Sequence, residues 1–154
     1  MILDKGILGA SQIAAIAETD ILNVHTWTTR GFADPYAKPR IRRGRGRARS
    51  YSVRDALRFF LMARLHEQYR TPLPRGFEIC ELVFAAENFD RGKAAYLVLE
   101  QSSSGAIDVQ WCPDLNAVAQ RLEVEALATV INVKYIFQRV SAQVGKLLEP
   151  QPDV

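Results

Sequence analysis

"SYSVRDALRFFLMARLHEQYR", Ser50–Arg70, is the clearest helix in this chain. Ser52, with Asp55 three residues on, resembles a capping box in which Asp replaces the commoner Glu. Val53, Leu57, Phe60, Leu61 and Leu65 then form a stripe that faces a core, and Arg54, Arg58 and Arg64 lie outside it. "TPLPRG", residues 71–76, stops the helix with two prolines. "FEICELVFAAENF", residues 77–89, adds a short helix carrying Phe77, Cys80, Val83 and Phe84.

Directly ahead of this helix stands "RIRRGRGRARSYS", Arg40–Ser52, with six arginines between Arg40 and Arg49, two glycines and no acid. Arginine grips phosphate oxygens with a fork of donors and stays charged at any working pH. Interleaved glycine lets the backbone follow a groove closely. A solvated charged loop usually mixes signs, and this run does not. Lys38, Arg40, Arg42, Arg43, Arg45, Arg47 and Arg49 are therefore candidate phosphate contacts, with pinning of the run to the domain as the other use for Arg49. Because helices flank the run, both its ends are held, which suits a two-stranded wing better than a free tail. "GRGRAR" is no dinucleotide loop, since the third glycine and a preceding strand are missing.

Further upstream, "ASQIAAIAE" (residues 10–18) spaces Ile13, Ala14, Ile16 and Ala17 as a helix, with Ser11 as its expected N-cap. "ETD" interrupts, and Thr19 or Asp20 caps a second helix, "ILNVHTWTTRG", in which Ile21, Val24 and Trp27 share one side. Gly31 closes it. Two short helices around a tight turn form a helix-turn-helix pattern. Ser11 and Gln12 on the first helix, and His25, Thr26, Thr28, Thr29 and Arg30 on the second, are candidate DNA contacts. Trp27 reads as core. Tyr51 either packs at the base of the wing or reaches a phosphate through its hydroxyl.

The order "IAAIAE…HTWTTRGFADP…RGRGRARSYSVRDAL" resembles the DNA-binding domain of the mercury-resistance-regulator (MerR) family over about residues 7–70. The matching positions are Trp27, the Gly31-Phe32 pair, Pro35, and Arg49, Tyr51, Ser52 and Asp55 where the wing enters the next helix. The resemblance implies a winged helix-turn-helix that binds duplex DNA as a dimer. The second helix would lie in the major groove and the wing along the flanking backbone. The chain departs from that family in having "ETD" where a turn glycine is usual and His25 where an early arginine is usual. It also lacks a long heptad run after residue 88.

Past Arg91 the pattern changes. "AAYLVLEQ" and "AIDVQW" flank "SSSG" and read as a hairpin. Asp114 caps "LNAVAQRL". "ALATVINVKYIFQRVSAQVGKLL" is ambiguous, its β-branched front suiting a third strand and its remainder a final helix. Trp111 and Tyr96 belong to the hairpin core, a dimer interface or a ligand pocket. The expected architecture is α+β: a winged helix-turn-helix domain over residues 1–90, then a small α/β dimerisation or interaction domain over residues 91–150.

Charge also divides the chain into unlike halves. Residues 1–75 hold 14 Lys and Arg against 6 Asp and Glu, whereas residues 76–154 hold 6 against 11. A basic front on an acidic rear suits a polyanion-binding module joined to another unit. Cys80 and Cys112 have neither metal spacing nor a disulfide framework, so no metal is expected. Two histidines, no nucleophile elbow and no phosphate-cradling lysine loop leave no catalytic constellation, so neither an enzyme nor a cofactor is expected. No apolar run reaches membrane-spanning length, and "MILDKGILGA" lacks a basic region ahead of an apolar core. A cytoplasmic, homodimeric, DNA-binding transcriptional regulator is the expectation. A phage-type architectural or excisionase-like protein that bends or bridges DNA is the alternative.

Overall fold

The computed structural model describes residues 6–32, 49–84, 95–123 and 128–149. Among these, six α-helices and one three-stranded antiparallel sheet make the fold α+β. The chain divides into two compact units, one of Met1–Glu81 with Arg139–Val154 and one of Leu82–Gln138. Residues 139–149 group with the first unit. No helix among the described residues is long and apolar enough to cross a membrane.

The first unit begins with α1 (Ala10–Ala17) and α2 (Ile21–Thr29). The cap of α1 differs from expectation: Gly9 occupies the N-cap, and its N–H donates to the Gln12 side chain at 2.8 Å, leaving Ser11 inside the first turn. At α2 the Asp20 carboxylate accepts from Leu22 N at 2.8 Å, as expected of an Asp N-cap. Between the helices, Glu18 adopts the left-handed conformation at φ 54°, the role that glycine takes without strain. Its carboxylate pairs with Arg64 and, at 3.1 Å, with Arg139. Those two guanidiniums hold the Glu18 carboxyl below its ordinary value. By that sign the contribution is present above the unfolded carboxylate pKa and fades as acid titrates Glu18.

α3 (Val53–Ala63) continues into a π-helical turn, Arg64–Gln68. The Ser52–Asp55 capping box forms reciprocally: Asp55 N donates to Ser52 Oγ at 3.0 Å, and Ser52 N to Asp55 Oδ2 at 2.8 Å. The helix is buried on nearly every side, which corrects the expected single stripe. Arg58, expected outside, is only 7% exposed. α1 packs on α3, and α4 (Leu73–Phe84) supplies both Glu81, which pairs with the Arg58 guanidinium, and the Cys80 thiol, 3.6 Å from the Arg58 carbonyl. A cation so buried needs such a partner, because desolvation costs several kcal/mol otherwise. Burial also pushes the Cys80 thiol well above its ordinary pKa, which leaves it an inert core residue. α4 starts inside "TPLPRG" rather than after it, since proline fits a first turn whose N–H groups have no intrahelical partner.

In the second unit, β1 (Tyr96–Gln101) lies between β2 (Ile107–Cys112) and β3 (Thr129–Asn132). Leu97 pairs with Trp111 on one side and Ile131 on the other. The expected hairpin forms, turning at Ser102–Gly105 with Gly105 at φ 84°. Asp114 caps α5 (Leu115–Leu122) through Ala117 N at 2.9 Å. Val98, Cys112 and Val118 form the core beneath that helix. Glu100, also buried, receives two N–H donors from Arg121. The ambiguous segment resolves at Asn132, whose side chain accepts from Tyr135 N at 2.9 Å and so starts α6 (Val133–Leu148) at the end of a strand.

The left-handed turn yields a direct test. Glu18→Gly and Glu18→Ala both remove the ion pairs, but only glycine relieves the backbone. Glu18→Gly should be the more stable of the two by about 1 kcal/mol in urea unfolding. Equal stabilities would mean that the turn carries no strain.

Candidate nucleic-acid interface

The candidate surface rests on one aromatic cluster. Trp27, from the inner face of α2, stacks on Phe59 of α3 with centroids 6.1 Å apart and planes 15° apart. Phe32, just past the end of α2, meets Phe59 edge-on at 5.0 Å and stacks on Phe77 of α4 at 4.6 Å. Tyr51, at the exit of the arginine run, meets the same Phe59 ring edge-on at 5.7 Å. His66 closes the group against Trp27 at 5.9 Å. Apolar burial and edge-to-face geometry both favour this arrangement.

The consequence concerns the arginine run. The chain leaves Phe59 at Phe32 and returns to it at Tyr51. Lys38, Arg40, Arg42, Arg43, Arg45 and Arg47 lie outside the described residues. The return is held further by pairing with the segment ahead of α1. Tyr51 N donates to Leu8 O at 2.8 Å, and Ile7 N and Leu8 N both approach Tyr51 O at 3.0 Å. Gly6 permits this approach: a Cβ there would stand 2.7 Å from Ser50 Oγ. Arg49 is exposed beside this bridge.

On α2 the candidate residues part into two groups. His25, Thr26, Thr29 and Arg30 are exposed, and Ser11 on α1 is exposed with Gln12 half-buried. Thr28 is not on that surface. It is 6% exposed, its hydroxyl donates to Val24 O at 2.7 Å, and the Tyr51 hydroxyl lies 3.0 Å away. With the Thr28 proton committed to Val24, Tyr51 is the donor across that contact. Tyr51 is fully buried, so both hydroxyls serve the junction between α2 and the end of the run. The reason is helical geometry. Val24, Trp27 and Thr28 share the inward side of α2, and a small rotation of the helix away from that setting would place Thr28 outside.

Ile21 parts from expectation in the other direction. Assigned to the apolar side, it is 40% exposed, and Leu22 beside it is 68% exposed. The sequence pattern nominates neither for DNA contact, because apolar side chains at helical spacing read as core. The outward surface of α2 thus carries Ile21, Leu22, His25, Thr26, Thr29 and Arg30, with no carboxylate among them. Two carboxylates border it: Asp20 at the N-cap accepts from Leu22 N at 2.8 Å, and Glu67 accepts from the Asn23 amide at 3.4 Å.

No family model matches the chain, and no curated protein compared with it matches either.

The cluster sets a stability expectation. Phe59→Ala should cost about 3–5 kcal/mol in urea unfolding, as for other large buried aromatic truncations. Tyr51→Phe should cost only about 0.5–1.5 kcal/mol, the range for one hydrogen bond. A Phe59→Ala cost no larger than that of Tyr51→Phe would show that the ring does not organise the unit.

Proposed function

We propose that this protein binds duplex DNA through a winged helix-turn-helix of the kind that the MerR-like sequence implies, and acts as a cytoplasmic transcriptional regulator. One observation carries the reading: Phe32 and Tyr51, which bracket the acid-free arginine run Arg40–Arg49 in the sequence, are both anchored on Phe59, which also seats α2 through Trp27. A phosphate-binding segment and a helix with a carboxylate-free outer surface thereby share one support. In this reading α2 enters the major groove, and the arginines contact the flanking backbone. His25, Thr26, Thr29 and Arg30 face the bases, and Ser11 and Gln12 face the sugar-phosphate edge. No catalytic step and no bound cofactor enters this reading.

A half-site reader with one short recognition helix gains useful affinity from a partner about one helical turn away, roughly 34–36 Å. The second unit supplies material for self-association, with Leu115 and Leu122 exposed on α5, Val130 on β3 and Tyr135 on α6. We therefore propose a homodimer. Six arginines in ten residues also favour an architectural role, since bending DNA requires many backbone contacts. A footprint separates the two: one dyad marks a regulator, a cooperative array an architectural protein.

Salt dependence tests the arginines. Arg42, Arg43, Arg45 and Arg47 changed together to Ala should weaken selected and random duplexes alike. The slope of log affinity against log salt should fall by about 0.9 for each phosphate that is no longer neutralised. Weakening of the selected duplex alone would overturn the phosphate assignment.

Discrimination tests α2. Arg30→Ala or Thr29→Ala should reduce discrimination between a selected duplex and its single-base variants by roughly 1–3 kcal/mol per base pair read. Thr28→Ala should act through stability instead. Equal weakening of every variant by Arg30→Ala would make Arg30 a positioning residue.

A further inference from the structure

We infer that Leu22, with Ile21 beside it, reads thymine methyl groups in the major groove, and that α2 selects a thymine-containing half-site. The inference rests on the reading of α2 as the recognition helix. Leu22 lies nearly opposite Val24 around the helix, at the middle of the outward surface rather than at its margin. His25 and Thr29 flank it on one side, Thr26 and Arg30 on the other. A leucine so placed in water loses nothing by exposure alone, and isolated surface apolar residues are common. Here two occur together in the opening turn, the part of a recognition helix that meets base edges.

Charge names the occupant. An apolar protein groove would accept Ile21 and Leu22, but it would leave the exposed Arg30 on the same surface without a counter-charge. The DNA major groove offers both features at once: phosphates along its walls, and the thymine 5-methyl group as the one apolar element on its floor. The lack of a carboxylate within α2 itself, Ile21–Thr29, fits that floor as well. Acidic side chains there would favour the cytosine amino group, and hydroxyls and methyls do not.

The test replaces thymine by deoxyuridine, which deletes the methyl and keeps every base-pairing group. The probe is a duplex recovered from a random-sequence library by the full-length protein, substituted one thymine at a time. Wild type should lose about fourfold in affinity at each methyl that Leu22 or Ile21 covers, the factor expected for one buried methyl-sized group. Leu22→Ala, which removes an exposed side chain and leaves the core intact, should bind the thymine and uracil forms equally at those positions. Leu22→Met should restore part of the difference.

Methyl-independence of the wild type at every thymine, with tight binding retained, would overturn this inference and leave the DNA-binding reading intact. So would an equal loss in wild type and Leu22→Ala. A Leu22→Ala change in sedimentation without any change in methyl dependence would assign the patch to a protein contact. Failure of the full-length protein to bind any duplex would overturn the proposed function itself, and this inference with it.

Discussion

The Phe59 ring is the contact on which the first unit depends. Four elements meet there or one ring removed: α2 through Trp27, the chain after α2 through Phe32, the chain before α3 through Tyr51, and α4 through the stack of Phe77 on Phe32. Each ring alone buries a large apolar area, and together they set the α2 axis relative to α3. They also convert a distant pair in sequence, residues 32 and 51, into neighbours in space. Loop closure on that scale has an entropy cost that grows only slowly with length. The buried aromatic contacts at its two ends supply a larger favourable term.

Polar groups inside each unit follow one rule: a charge that is buried keeps a partner. Arg58 pairs with Glu81, and Glu100 takes two donors from Arg121. Thr28 and Tyr51 satisfy each other beneath α2. These pairings decide which polar side chains remain for outside work. On α2 the exposed side chains are His25, Thr26, Arg30 and Thr29, whose hydroxyl donates to His25 O at 2.8 Å, together with two apolar residues, Ile21 and Leu22.

Much of this is legible in the chain itself. Asp20, Ser52 and Asp114 announce three helix starts, because an oxygen-bearing side chain ahead of an apolar run meets otherwise unpaired N–H groups. The alternation through Ile107, Val109 and Trp111 announces the hairpin, and burial of Trp27 and Cys80 follows from their apolar neighbours. Less legible are the Gly9 cap of α1 and the strand-to-helix change at Asn132, where β-branched residues argue for strand and one amide side chain argues for helix.

Local chemistry thus determined where α2, α3 and α5 begin, which class the fold belongs to and where the positive charge lies. All of these depend on residues within a few positions of one another. Tertiary structure alone decided which sides of α2 and α3 face inward. A helix buried on one side can be told from its period, but α3 has neighbours on several sides, so Arg58 goes in against its residue type. On the short α2, one turn of apolar pattern does not distinguish Ile21, which stays out, from Thr28, which goes in because Tyr51 waits there to bond it. That partner is 23 residues away, and no local pattern contains it.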